Sequence, residues 1–235
     1  MNLSSPIRVV SSMATRRLLA ELTARFEATS SQQVSLESIG GVDAAKRVKA
    51  GETFDLVVLA KDAIEDLTAA SRIVAGSRVD VAVSAIAIAV PAGIAHPDIS
   101  SAEGVKRAVL SARSIGYSTG PSGVYLAKLF KTWDSGDRLQ NRITVAPAGV
   151  PVGSLVARGE IELGFQQLSE LIGVDGIEVV GLLPPEIQAI TTFSGGIAQM
   201  STQPDAARAL LSFMAGPELI PIKRKYGMDA AAPSL

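Results

Sequence analysis

Apolar positions along the chain change period repeatedly, and each change marks an element. Residues 7–10 are a short β-branched run. Over residues 14–28, Leu18, Leu19, Leu22 and Phe26 recur at spacings of one, three and four, which is one face of a helix. Residues 34–39 predict a strand, and 42–50 a helix closed by Gly51 just past its end. Residues 54–59 form a continuous apolar run, as in a parallel strand covered on both faces. The alternation continues with strands over 81–90, 114–117, 143–146 and 162–166, and with helices over 122–133 and 152–158. After Pro204 the pattern predicts a helix over 205–215, then Gly216-Pro217 and a helix over 218–226 ended by Gly227.

Strands alternating with helices over this length predict an α/β fold with mostly parallel sheets and helices on both faces. The sequence has no internal repeat, low-complexity segment or long Pro/Gly/Ser linker. Two domains would therefore be joined by element-to-element crossings, and the best candidates are residues 81–90 and 190–197.

Charge and composition narrow the chemistry. Lys and Arg number 22 against 23 Asp and Glu, which argues against a nucleic-acid partner. Aromatic residues are 4% of the chain, too few for base-stacking platforms. Cysteine is absent and His96 is the only histidine, so no Cys/His zinc site and no cysteine nucleophile can be assembled; no metal and no cofactor is expected. The longest apolar stretch, residues 81–90, is shorter than the roughly 20 residues a membrane helix needs. The N-terminus shows no charged region followed by an apolar one. That predicts a cytoplasmic location for the chain as written, or a periplasmic one if a signal has been removed.

Four predicted strands end in small-residue loops that open a helix or turn. They are Ser11-Ser12-Met13-Ala14-Thr15, Ile39-Gly40-Gly41-Val42-Asp43, Ser118-Thr119-Gly120-Pro121-Ser122-Gly123 and Pro147-Ala148-Gly149-Val150-Pro151-Val152-Gly153. Helix starts carry unpaired N–H groups and partial positive charge, and glycine lets a ligand approach the backbone. In open α/β sheets ligands bind beyond the carboxyl ends of the strands. Four such loops predict an anion site built from backbone donors rather than from cationic side chains. Gly116-Tyr117-Ser118-Thr119-Gly120 matches a nucleophile-elbow spacing, but His96 precedes Ser118, so the order a serine hydrolase needs is absent. Glu37 lies near a strand end just before Gly40-Gly41, either as a solvent-facing carboxylate or facing the ligand. Gln166 and Gln167 close another strand, as loop caps or as ligand hydrogen-bonders.

Several segments, in the same order along nearly the whole chain, resemble the molybdate-binding proteins of ABC transporters. They include Ile7-Arg8-Val9-Val10 with its small-residue loop, Ala50-Gly51-Glu52-Thr53-Phe54-Asp55-Leu56-Val57-Val58, and Pro121-Ser122-Gly123-Val124-Tyr125. The tail piece runs from Phe213-Met214-Ala215-Gly216-Pro217-Glu218 to Lys225-Tyr226-Gly227. Such proteins have the periplasmic-binding fold of the second type. The resemblance implies two lobes, residues 1–83 with 194–235 and residues 84–193, and a ligand cleft between them. It also implies an ABC permease as partner if the chain is exported.

The family's ligand hydroxyls do not carry over. Ala14 stands at the first loop's serine, Gly40-Gly41-Val42 replace a serine-rich loop, and Gln167 stands where a tyrosine is usual. That favours a small carboxylate over molybdate, held by Ser11, Ser12, Gly40, Gly41, Ser122, Val150 and Gln167. Aconitate isomerases resemble the same family, so an isomerase of an unsaturated carboxylic acid is the alternative. It needs a group that moves a proton, with Glu37 and Tyr117 first and His96 behind them. Nothing in the pattern specifies an oligomer.

Overall fold

The computed structural model describes residues 5–134, 138–147 and 149–231. In chain order the strands and helices are β1 (Ile7–Ser12), α1 (Arg16–Thr29), β2 (Val34–Ile39), α2 (Gly41–Lys49), β3 (Leu56–Ala60), α3 (Lys61–Ala69) and β4 (Val79–Pro91). There follow α4 (Ala102–Ser111), β5 (Ile115–Tyr117), α5 (Pro121–Trp133), β6 (Ile143–Val145), α6 (Val152–Ala157), β7 (Leu163–Gln167) and α7 (Leu168–Leu171). The chain ends with β8 (Ile177–Leu182), β9 (Ile190–Ile197), α8 (Pro204–Ala215) and α9 (Ile220–Lys225). Two compact units result, Met1–Val83 with Thr192–Leu235, and Ser84–Thr191. The chain passes between them inside β4 and inside β9. None of the described helices is long and apolar enough to cross a membrane.

In the first unit the strands lie in the order β2, β1, β3, β9. Alternating side chains of β1 and β3 face opposite ways, as the two-residue period of a strand requires. Ile7, Val9, Leu56 and Val58 join Leu18, Leu19 and Leu22 of α1 and Leu210, Leu211 and Met214 of α8 in one core. Val10, Val57 and Leu59 face Ala44 and Val48 of α2 and Ile64 and Leu67 of α3 in another. Asp55 is buried at the mouth of β3. Its Oδ2 accepts from the Arg8 N–H at 2.9 Å, and its Oδ1 accepts from Ser201 Oγ at 2.8 Å and the Thr202 N–H at 3.1 Å. This acid, part of the segment that carries the family resemblance, is a structural clamp.

In the second unit the order is β4, β7, β5, β6, and β8 pairs the other edge of β4. One face carries Ile86, Ile88, Ile115, Phe165 and Tyr117 against Leu126 and Phe130 of α5 and Val105 and Val109 of α4. On the other face a Cβ on Gly164 would stand 2.5 Å from Val156 of α6, so glycine there lets the helix sit close.

The sheets carry both parallel and antiparallel pairs. β1–β2, β1–β3, β5–β6 and β5–β7 are parallel, but β3–β9, β4–β7 and β4–β8 are antiparallel. β8 was not among the expected strands. It is half-buried along most of its length, shows no alternation, and pairs with β4 through an irregularity at Ile88/Ala89.

Candidate functional site

In the first unit β1 and β2 are parallel and in register, with Ser11 opposite Ser38 and Ser12 opposite Ile39. Their carboxyl ends therefore lie side by side, and the loops leaving them start the Met13–Thr15 turn and α2. Ser11 is buried and its Oγ shares a 2.8 Å hydrogen bond with Ser38 Oγ. Ser12 Oγ lies 3.5 Å from Thr15 Oγ1. Both hydroxyls are thus already engaged. Gly40 caps α2 without a side-chain bond, which leaves the first-turn N–H groups open. A Cβ on Gly41 would meet Ser12 Cβ at 3.5 Å, so the two loops touch. Asp43 lies in the same first turn, so an arriving anion meets a carboxylate as well as free N–H groups.

Glu37 sits on β2 in register with Val10, one residue from Ser38. Arg47 of α2 grips it with two bonds, at 2.6 and 3.0 Å, and also binds Glu52. Strand alternation sets Glu37 and Ser38 on opposite faces. Glu37 therefore belongs to an ion-paired cluster on the α2 side of the sheet.

In the second unit β5, β6 and β7 are parallel, so Tyr117, Val145 and Gln167 reach the same edge of the sheet. α5 starts at Gly120 and Pro121 with no side-chain cap and no acid in its first turn. Its first turn carries Ser122, which is buried and has no hydrogen-bond partner for its hydroxyl among the described residues. A Cβ on Gly123 would lie 1.6 Å from the Ser118 carbonyl oxygen, so only glycine lets α5 begin this close to the loop after β5. By contrast α4 is closed by its own residue, since Ser101 Oγ accepts from the Gly104 N–H.

The loop before α6 offers less than its sequence suggests. The Val150 N–H donates to the Pro147 carbonyl at 3.0 Å, and Val150 packs against the α6 cluster. Ala148 lies outside the described residues. The Val152 N–H at the start of α6 is taken by Gln166 Oε1 at 3.0 Å, and Gln166 Nε2 donates to Glu170 at 2.8 Å. Gln166 is a cap.

Gln167 is different. It is 2% exposed, its Nε2 donates to Thr191 Oγ1 at 2.7 Å, and its Oε1 is buried with no partner. Among the described residues no other side-chain nitrogen or oxygen atom fully shut off from solvent is left this way. An unmade hydrogen bond of this kind costs about 1–3 kcal/mol, which a ligand can recover. Thr191 carries no sequence signal of its own, because its role depends on β9 passing beside the end of β7.

Tyr117 is 8% exposed, its ring meets Phe130 edge-on at 6.0 Å, and its hydroxyl has no hydrogen-bond partner among the described residues. Burial pushes its phenol above the ordinary value, so it stays protonated at neutral pH. His96 is half exposed in a loop and bonds Glu178 Oε2 at 2.7 Å. Among the described residues no cluster of His, Asp and Glu could hold a metal ion. A recess of about 510 Å³ in the first unit, lined by Glu65, Thr68, Ala69, Gly76 and Arg78, includes none of the expected site residues.

Comparison with known proteins gives this arrangement a family. Residues 7–229 match the bacterial extracellular solute-binding protein family. An aconitate isomerase from Pseudomonas sp. is 42% identical over 170 residues, which is 72% of this chain. The match spans 64% of that relative's length. The periplasmic molybdate-binding protein of Azotobacter vinelandii superposes with a TM-score of 0.75 at 21% identity, over 97% of this chain and 100% of that one. The sulfate-binding protein of Mycobacterium tuberculosis H37Rv gives 0.78 at 16% identity, over 98% and 88%. At these identities the two structures show the fold. The chain belongs to the bacterial extracellular solute-binding protein family and has the periplasmic-binding fold of the second type.

Proposed function

We propose that the chain binds a small carboxylate anion with backbone N–H groups and neutral side chains at its strand ends. The observation that carries this is the start of α5. A 13-residue helix opens on Gly120 with no side-chain cap and no acid in its first turn, beside the unbonded hydroxyl of Ser122. Such a helix start favours an anion by roughly 0.3–1 kcal/mol before any specific hydrogen bond is counted. Ser11 and Ser12 are tied to neighbours, and Ala14 has no hydroxyl, so a tetrahedral oxyanion finds few free hydroxyl donors in the first unit. A thermal-shift series of carboxylates and oxyanions tests the reading. A ligand present at about 100 times its dissociation constant adds roughly 2.7 kcal/mol of stability. Carboxylates should raise the melting temperature, and a shift with oxyanions alone would reject the reading.

The alternative is an isomerase of an unsaturated carboxylic acid, favoured by the 42% identity to an aconitate isomerase. Here a base takes a proton from a carbon next to a carboxylate, and an acid returns one at the other end of the allylic unit. Tyr117, buried, unbonded and protonated, fits a proton donor better than Glu37, whose carboxylate is committed to Arg47. Incubation with cis- and trans-aconitate in heavy water, followed by NMR, reads both interconversion and deuterium uptake. Turnover that disappears in Tyr117→Phe and persists in Glu37→Gln supports this second reading. Binding without exchange supports the first alone.

A further inference from the structure

Gln166 and Gln167 end the same strand and are equally buried, yet their amides are in opposite states. Both ends of the Gln166 amide are bonded within the protein. The Gln167 amide has one bond, Nε2 to Thr191 Oγ1 at 2.7 Å, and its Oε1 has none. A threonine hydroxyl has one proton to give and two lone pairs to offer. In this arrangement Thr191 spends a lone pair on Gln167, and its proton has no acceptor among the described residues. The pair therefore leaves two complementary valences, an acceptor on Gln167 and a donor on Thr191.

An ionised carboxylate has acceptors only. Set against Gln167 Oε1 it would bring two acceptors face to face, while against the Thr191 proton it is matched. Within the carboxylate reading, an anion that also carries a hydroxyl satisfies both. We infer that the ligand is a hydroxycarboxylate, its hydroxyl donating to Gln167 Oε1 and its carboxylate accepting from Thr191 Oγ1–H. The inference rests on the carboxylate reading above and adds the hydroxyl to it. A Gln167 amide turned over would instead accept from Thr191 and offer Nε2, which suits a plain carboxylate. The experiment separates these two states.

Titration calorimetry on the intact protein with citrate against tricarballylate, and with L-malate against succinate, compares acids that differ by one hydroxyl. The hydroxylated acid of each pair that binds should do so at least about tenfold more tightly, and the ratio should fall toward one in Gln167→Met and in Thr191→Val. Circular dichroism melting checks that each variant folds, and Thr191→Val decides the matter if Gln167→Met does not. Equal or tighter binding of tricarballylate and succinate overturns the hydroxycarboxylate and leaves the carboxylate reading standing. A preference that survives in the folded variants overturns the assignment to this pair. No binding by any of the four acids overturns both the inference and the reading it rests on.

Discussion

The two units present the same kind of loop, a strand end running into a helix, but leave it in different states. In the first, Ser11 is bonded to Ser38, Ser12 approaches Thr15, and the open start of α2 carries Asp43. In the second, α5 starts without a side-chain cap or an acid, Ser122 has no partner among the described residues, and Gln167 keeps an unused acceptor. Donors already spent inside the protein shape a surface but discriminate little between ligands. Unspent ones are costly to bury and recover that cost only from a ligand that matches them. On the proposed reading, the second unit therefore carries the groups that can discriminate between ligands.

The largest effect should come from forcing a side chain into the start of α5. Gly123→Ala would place a Cβ 1.6 Å from the Ser118 oxygen, and overpacking of this kind costs about 1–3 kcal/mol or more. Trp133, the only tryptophan, lies at the end of α5, so its fluorescence reports this unfolding, and citrate binding should be lost with it. The matching change in the first unit is Gly41→Ala, whose Cβ would meet Ser12 at an ordinary 3.5 Å. It should be neutral or stabilise by about 0.4–1 kcal/mol in thermal unfolding. Equal damage from the two substitutions would remove the contrast between the units.

Asp43→Asn sharpens the comparison from the other side. It removes the negative charge at the start of α2, which should cost roughly 0.3–1 kcal/mol of stability. Thermal unfolding at low salt reads the change, and an unaltered melting temperature would mean that Asp43 does not act on the start of α2.

The smallest effect at neutral pH concerns the acid stability of the first unit. Lys225, Tyr226 and Arg25 hold Glu21 at about 2, well below its ordinary 4.5. A depressed carboxylate stabilises above its unfolded value and loses that contribution as pH falls through its folded one. Stability from Glu21 is therefore complete above about pH 4.5 and fades between there and about pH 2. Glu21→Gln should flatten the dependence of the melting temperature on pH over that window. An unchanged slope would show that the α1–α9 tie does not act on acid unfolding.

The sequence showed some of this and hid the rest for physical reasons. Periodicity is a local property, so α1, with Leu18, Leu19 and Leu22 on one face, and the apolar run of β3 could be read directly. Strand direction is not local, and the antiparallel pairings of β9 with β3 and of β4 with β7 appeared only in the structure. The small-residue loops were visible, whereas the partners of their side chains were not. Arg47 reaches Glu37 across ten residues, and Thr191 reaches Gln167 across 24. Gln166 and Gln167 look alike in the sequence, and one proves to be a cap while the other keeps a free acceptor. Val150 looked like a donor until the turn placed its N–H on Pro147.

The most direct test of the account is calorimetric titration of the intact protein with molybdate, sulfate and citrate under one set of conditions. The resemblance read from the sequence implies that hydroxyl donors to an oxyanion are missing at three places, Ala14, the Gly40-Gly41 loop and Gln167. Each missing hydrogen bond to a buried anion costs about 1–3 kcal/mol, so on the proposed reading three together weaken oxyanion binding more than a hundredfold. Citrate should bind, with molybdate and sulfate far weaker. Submicromolar molybdate binding with no measurable citrate binding would contradict the account.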